Sequence, residues 1–462
     1  MEAEQPGLGI VVLAAGQGTR MCSTLPKVLH PLAGRPLLTH VLETARALRP
    51  QRLVVVYGYG GERVPQAVPE PDVHWVLQAE QLGTGHAVAQ ALAALEGLDR
   101  VLVLYGDVPL VTGDTLDTLV RAADHAHLAL LTVRRDDPAG YGRIVRDAGG
   151  RVARIVEERD ASAGEREIRE INTGMMVVDK GRLAGWLQRI GSGNAQGEYY
   201  LTDLVALAVE DGVEVRTVHP MDAAEVEGVN DRSQLARLER AYQAARAEEL
   251  MRQGVALLDP ARFDLRGRLS AGQDVTIDVN VVLEGDVDLA DGVFVGANTV
   301  IRNSRIGPGV RVLENCVIED CVIGADCRIG PFARLRPETS LAEGAHVGNF
   351  VEIKKSSVGR GTKINHLSYV GDAVVGASTN IGAGTITCNY DGANKHQTVI
   401  GENAFIGSDT QLVAPVRVGA GATIGAGSTI TRDAPPGKLT LSRSRQTTLD
   451  GWTRPRKGAK TR

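Results

Sequence analysis

Two hydrophobic rhythms divide the chain. Up to about residue 230, short apolar runs alternate with stretches of helical spacing. Residues 8–14, 52–56, 100–105, 129–133, 171–178 and 213–218 predict strands, and 36–47, 85–94, 115–123 and 201–210 predict helices between them. Such alternation predicts an α/β domain, Rossmann-like, with a mostly parallel sheet. Ligands of these sheets sit beyond the carboxyl ends of the strands, which directs attention to the loops after Leu13 and Tyr105. Residues 231–253 hold no glycine. There Leu235, Leu238, Tyr242 and Ala245 fall at helical spacing, predicting one amphipathic connecting helix.

From about residue 259 the period becomes six. Ile277, Leu283, Leu289, Val295 and Ile301 form one block. Ile323, Ile329, Leu335, Leu341, Val347 and Ile353 form a second, and Ile400, Ile406, Leu412, Val418, Ile424 and Ile430 a third. The register slips by five at Ile301 to Ile306 and at Ile353 to Val358. A repeat of this length predicts an all-β parallel β-helix of about ten coils, aliphatic residues pointing to the axis and glycine permitting tight corners. Residues 385–399 break the period and predict a loop thrown out from the prism. The expected domains are 1–230, a linker helix 231–253, and 254–462.

Composition narrows the function classes. A 43 % apolar content with a net charge of only −5 is incompatible with general disorder and gives no basic field for nucleic acid. No apolar run is long enough for a membrane helix, and the acidic start MEAEQPG predicts a cytoplasmic protein. Five cysteines, an odd number, argue against a disulfide framework, and the spacing of Cys316, Cys321 and Cys327 does not fit a zinc site. Glycine is abundant, 54 residues of 462, while only 17 residues are aromatic, as a narrow prism filled by Ile, Leu and Val requires. All five Phe lie in the second half, where corners or subunit contacts are their expected places.

The first candidate site is the glycine-rich string Leu13-Ala14-Ala15-Gly16-Gln17-Gly18-Thr19-Arg20, followed by Pro26-Lys27. Such a loop after a strand exposes N–H groups to phosphate, and Arg20 and Lys27 add positive charge. It is neither a dinucleotide fingerprint nor a P-loop. Tyr105-Gly106-Asp107 ends a strand; Asp107 suits either a Mg²⁺ ligand or a turn. The whole string resembles the signature of the sugar-1-phosphate nucleotidyltransferases. That resemblance implies Asp107 and Asn230 as metal ligands and Arg20 and Lys27 as catalytic cations. It implies Gln78, Gly83 and Thr84 as base-reading positions, and Gly142, Glu157 and Asn172 as sugar-binding positions.

In the second half, Lys354 breaks the apolar rhythm, and His366 sits near Tyr369 where a general base could reach an amine. With these motifs in order, residues 8–454 closely resemble the bacterial bifunctional N-acetylglucosamine-1-phosphate uridyltransferase / glucosamine-1-phosphate acetyltransferases. The resemblance implies a left-handed β-helix, a homotrimer, Mg²⁺, and UTP and acetyl-CoA as co-substrates. It implies His366 as the base, Arg336 and Lys354 holding the sugar phosphate, and Tyr369 and Asn380 binding the sugar. Ala383, Asn389, Tyr390, Lys395, Ser408, Ala426 and Arg443 would line the acetyl-CoA cleft, which the loop of one subunit would share with a neighbour. Residues 1–7 are an addition to the pattern, and the basic tail 453–462 is expected to be solvated.

Overall fold

The computed structural model describes residues 7–124 and 126–455. Residues 1–6 of the N-terminal addition and 456–462 of the basic tail lie outside them. The chain forms two compact units that part between Ala245 and Arg246, inside the connecting helix.

The first unit runs β1 (Leu8–Ala14), α1 (Leu37–Ala47), β2 (Arg52–Tyr57), β3 (Val73–Leu77), α2 (Thr84–Ala91), β4 (Arg100–Tyr105), α3 (Gly113–Ala122) and β5 (Leu128–Arg134). It continues with β6 (Arg143–Arg146), β7 (Val152–Val156), β8 (Glu170–Asp179), α4 (Lys180–Arg189), α5 (Asp203–Glu210) and β9 (Val215–Val218). The main sheet has the order β9-β5-β8-β4-β1-β2-β3, with the hairpin β6–β7 attached to β8. Strands β4, β1, β2 and β3 are mutually parallel. The expected mostly parallel sheet is mixed, because β8 runs against both β4 and β5. Ile10, Val11 and Val12 have no exposed surface, which explains why β1 reads as an unbroken apolar run: both faces are covered. Helices α1 and α3 pack on one face, and α2, α4 and α5 on the other.

The helix α6 (Arg232–Arg252) follows. Its first half packs Leu238, Leu235 and Tyr242 against Met21, Leu32 and Val229. Ala245, expected on the same stripe, is exposed. In the second half the buried apolar positions are Ala247 and Leu250, which close the first coil of the prism.

The second unit is a left-handed parallel β-helix, with eleven strands stacked on one face among the described residues. All seventeen aliphatic residues of the three six-residue blocks are buried, none more than 3 % exposed. The register shows what the slips of five mean. Val282 pairs with Val300, eighteen residues on, but Val300 pairs with Val317 and Glu352 with Tyr369, seventeen on. A coil loses one residue at a corner and its walls stay aligned.

Glycine works differently from the expectation. Left-handed corners do include Gly292, Gly309, Gly344 and Gly361, but many hold Asn or Asp, such as Asn280, Asn298, Asn315, Asp326 and Asp372. Short polar side chains tolerate that conformation through local hydrogen bonds. The glycines that follow the aliphatic residue, such as Gly307 and Gly324, serve stacking: a Cβ on Gly307 would lie 2.8 Å from the carbonyl of Ile323 in the next coil. The phenylalanines also divide. Phe332 and Phe350 occupy left-handed corners and stack 5.3 Å apart, Phe294 and Phe405 lie on a face, and Phe263 is in the core.

Candidate functional site

In the first unit a cavity of about 510 Å³ opens at the carboxyl ends of β1 and β4 and the first turn of α2. Leu13, Ala14, Ala15, Gly16, Lys27, Gln78, Gly83, Thr84, Tyr105 and Asp107 line it, ten of the positions that the sequence singles out. Gln17 and Thr19 of the same glycine-rich string line it too, as do Val28, Gln81, Ala87 and Glu198, which were not singled out. Arg20 is not among the lining residues: it is exposed on the turn Thr19–Met21.

The glycines here have distinct reasons. A Cβ on Gly16 would meet nothing within 4 Å, so that backbone faces open space. Gly18 is left-handed and packs against Lys27, and Gly106 packs against Leu38 and Val28, so these two serve the protein's own packing. Gly83 must be glycine twice over: its φ is +106°, and a Cβ would lie 2.6 Å from the Tyr199 carbonyl oxygen. The Gln78 amide donates to the Gly83 carbonyl at 3.1 Å and contacts His86 Nδ1 at 3.0 Å, which fixes its orientation.

The Lys27 ammonium is bound to the Asp107 carboxylate and lies 3.4 Å from Asn230 Oδ1. The Asn230 segment is anchored by the Val229 N–H, which donates to the Asp107 carbonyl at 2.9 Å. Two hard oxygens thus converge on one cation, the donor chemistry that Mg²⁺ takes with several waters. Tyr105 sits against Gly174, where a Cβ would lie 2.5 Å from the ring and where φ is +86°. Burial, reinforced by the Glu157 and Asp107 carboxylates, raises the Tyr105 phenol, which therefore stays a hydrogen-bond donor.

Gly142, Glu157 and Asn172 also come together. A Cβ on Gly142 would stand 3.3 Å from the Glu157 carboxylate, and the Asn172 N–H donates to the Gly142 carbonyl at 2.8 Å. The register of β8 shifts between Asn172 and Met176, a bulge of the kind that re-aims a side chain. Asn172 Oδ1 is buried without a hydrogen-bond partner among the described residues. Burial raises Glu157 above the usual glutamate range; the Thr202 hydroxyl, donating at 2.9 Å, opposes this, while Asp203 and Asp160 add to it.

In the prism the singled-out residues gather at two corners. Asn349 pairs with His366, and backbone hydrogen bonds then climb from coil to coil: Gly384 N–H to the His366 carbonyl, Asp409 to Ala383, and Gly427 to Ser408. His366, Ala383, Ser408 and Ala426 therefore rise as one column. Arg443 donates to the Ala426 carbonyl at 3.0 Å. Asn380 stacks on Lys363 along the adjoining face. The His366 imidazole is exposed and makes no hydrogen bond to another described residue.

At the other corner, Arg336 is paired with Glu352 at 2.8 Å, Glu352 is in register with Tyr369, and Lys354 with Gly371. Tyr369 folds back over Gly371 so closely that a Cβ there would lie 2.3 Å from its hydroxyl. Asn389 Nδ2 donates to Asp372 at 2.5 Å and lies 3.5 Å from the Tyr369 hydroxyl. Asp372 and Gly371 carried no sequence signal. The loop that brings Asn389, Tyr390 and Lys395 is shorter than 385–399: residues 386–388 and 398–400 remain wall strands, leaving 389–397.

Cys316, Cys321 and Cys327 are buried and donate to backbone carbonyls. Burial pushes the Cys321 thiol up to about 12 and Cys316 to about 11, so both are thiols at neutral pH. No helix among the described residues is long and apolar enough to cross a membrane.

Known proteins match this arrangement. Residues 10–256 match the MobA-like NTP transferase domain, and residues 320–355 and 397–432 match the bacterial transferase hexapeptide repeats. The chain is 58 % identical to the bifunctional protein GlmU of Ralstonia pickettii over 453 residues, covering 98 % of this chain and all of that one. It is 59 % identical to GlmU of Nitrosospira multiformis over 454 residues, 98 % of this chain and 99 % of that one. GlmU of Azoarcus sp. is 59 % identical over 446 residues, 96 % and 99 % of the two chains. With one cavity at the carboxyl ends of a nucleotidyltransferase sheet and a second set of polar residues on a hexapeptide prism, the chain belongs to the GlmU family of bifunctional enzymes, uridyltransferase in its first half and acetyltransferase in its second.

Proposed function

We propose that the first unit joins N-acetylglucosamine 1-phosphate to UTP, releasing pyrophosphate, with Mg²⁺ held by Asp107 and Asn230. The observation that carries this is the convergence of those two side-chain oxygens on the Lys27 ammonium at the mouth of the cavity. The sugar 1-phosphate oxygen attacks the α-phosphorus, and two anions must approach. Lys27 and the open backbone at Gly16 hold the triphosphate; Arg20 reaches it from the exposed turn. Bound Mg²⁺ would neutralise charge on the triphosphate and on the departing pyrophosphate. The fixed Gln78 amide, with Gly83 and Thr84, reads the base. Asn172, whose buried oxygen lacks a partner among the described residues, receives a donor of the sugar beside Glu157 and Gly142. The Gly106 N–H, donating to the Leu13 carbonyl at 2.9 Å, and the Val229 N–H on the Asp107 carbonyl fix the backbone that carries Asp107. Catalysis is positioning and charge stabilisation.

The prism acetylates glucosamine 1-phosphate with acetyl-CoA. Arg336 and Lys354 hold the phosphate, Tyr369 and Asn380 the sugar, and the column Ala383, Ser408 and Ala426 with Arg443 lines the cofactor cleft. Asn389, Tyr390 and Lys395 reach the cleft from the loop. As the 2-amine attacks the thioester carbonyl, His366 takes its proton; the C–N bond forms, the C–S bond breaks, and the coenzyme thiolate receives the proton. A homotrimer in the cytoplasm fits this reading. The exposed apolar corner Phe332, Phe350 and Leu367 supports the trimer, because a stacked apolar ridge in water gains from burial against a copy.

The test is orthogonal. His366→Ala abolishes acetyl transfer and leaves uridyl transfer intact, and Asp107→Ala does the reverse. Assays use acetyl-CoA, glucosamine 1-phosphate and each nucleoside triphosphate in turn, with and without Mg²⁺. If both variants lost the same activity, the two-site reading would be wrong.

A further inference from the structure

The coil bearing residues 389–397 is longer than its neighbours. Ile386 pairs with Gln411 and Ala373 with Thr398, each twenty-five residues on, against seventeen or eighteen in the adjoining coils. The extra residues form an exposed loop, and an exposed loop loses conformational freedom when it must meet a ligand in one shape.

This loop is already shaped. Asp391 Oδ1 accepts the N–H groups of Ala393 at 2.9 Å and Asn394 at 2.6 Å. Its Oδ2 pairs with His396 Nε2 at 2.7 Å, and its own N–H donates to the Asn394 carbonyl at 3.1 Å. The His396 N–H returns to the Asn389 carbonyl at 2.8 Å, and Tyr390 bridges Lys395 in antiparallel fashion. The Tyr390 hydroxyl donates to the Gly392 carbonyl at 2.6 Å. These contacts close a small hairpin around one carboxylate. The backbone N–H groups and His396 hold the Asp391 carboxyl well below the usual aspartate range, so it is ionised at neutral pH. The hairpin places Lys395 beside Lys354, whose ammonium holds Lys395 below the usual lysine range. Two cations kept together, one on the pre-shaped loop and one on the wall strand beneath it, suit an anionic ligand.

We propose that Asp391 is a positioning residue for acetyl transfer: it pre-organises the 389–397 hairpin so that Asn389, Tyr390 and Lys395 meet the cofactor without a further ordering cost. The inference rests on the acetyl-site reading above. Asp391 itself touches neither substrate; it acts through the loop.

The experiment compares Asp391→Ala, Asp391→Asn and wild type in steady-state acetyl transfer, with uridyl transfer and thermal melting of the same samples. Asp391→Ala is expected to raise the KM for acetyl-CoA about tenfold, about 1.4 kcal/mol, while kcat changes less than threefold. Asp391→Asn keeps an acceptor for the two N–H groups and loses only the charge opposite His396, so it recovers most of that loss. Uridyl transfer and Tm stay at wild-type values in both. An unchanged KM in Asp391→Ala, equal loss in the two variants, or a parallel fall in uridyl transfer would each overturn the proposal. His366→Ala run alongside separates the two readings. If it retains acetyl transfer, the acetyl site is misplaced; if it is dead while Asp391→Ala is normal, only the role of Asp391 falls.

Discussion

Gly371 offers a sharp test of the acetyl site because it lies beside the proposed chemistry and takes no part in it. Its backbone is outside the left-handed region, so alanine fits the local conformation. What alanine cannot do is coexist with Tyr369. The added Cβ would lie 2.3 Å from the tyrosine hydroxyl and 2.6 Å from Cζ, where ordinary contact begins near 3.4 Å. The hydroxyl must therefore move by about 1.1 Å, which disturbs its 3.5 Å contact with the Asn389 amide. Only the outer end of one side chain moves, so the stability cost should be near the low end for overpacking, about 1 kcal/mol. Activity is more sensitive, since a misplacement of about 1 Å in a reacting assembly can cost about 100-fold. We expect Gly371→Ala to lower kcat/KM for acetyl transfer between about tenfold and about 100-fold, measured by release of coenzyme thiol. Uridyl transfer should not change. A cycle with Tyr369→Ala adds a second check: the double variant should be no worse than Tyr369→Ala alone, because both act through one ring. Full acetyl transfer in Gly371→Ala, or additive losses in the cycle, would refute the reasoning.

Gly174→Ala forces a left-handed backbone on alanine and drives a Cβ to 2.5 Å from the Tyr105 ring. It should lose about 3 kcal/mol in urea unfolding and most uridyl transfer, with acetyl transfer spared in the folded fraction; a stable, active variant would contradict the close approach. Glu157 gives a pH signature. Its carboxyl is raised in the folded protein, so the folded state holds that proton more tightly than the unfolded chain, and ionisation costs stability as pH rises from the ordinary glutamate value through the raised one. Glu157→Gln should therefore gain on wild type in melting temperature across that interval while losing uridyl transfer; a gap that narrowed with rising pH would show the sign to be wrong.

The prism was the most legible part of the molecule. A residue that points to the axis of a stacked coil is buried on every side, so the demand repeats at every sixth position and survives a five-residue slip. In the first unit, β1, β2, β4, β5 and β8 were readable because both faces of the sheet are covered. By contrast, β6 in Arg143–Arg146 is flanked by arginines, and α4 carries Gly181 and Gly185, so neither shows a clean period. Around the sites, the phosphate loop and His366 stood out because their residue types announce chemistry. Gly371, Asp372 and Asp391 did not. The first matters because a ring two residues away folds back on it, and the others because an insertion brings their carboxylates to a loop. Such roles arise only when the chain is in three dimensions. Arg20 shows what residue type alone leaves open: the sequence singles it out, and only the structure places it on the exposed turn beside the cavity rather than in its lining.

The closure of the first coil by Ala247 and Leu250 gives the prism a direction. A stack held only by nearest neighbours melts from whichever end is less well covered. One end is sealed by a helix; at the other, Leu439 and Leu441 stand more than half exposed. Coils are therefore expected to peel from the C-terminal end, beginning with the one that carries Ala426 and Arg443. The cofactor column is built along this gradient, its base in a coil with partners above and below, its top at the fraying edge. A bound cofactor spanning the column would act as a clasp on the last coils and make the loosest part of the prism the part most strengthened by its ligand.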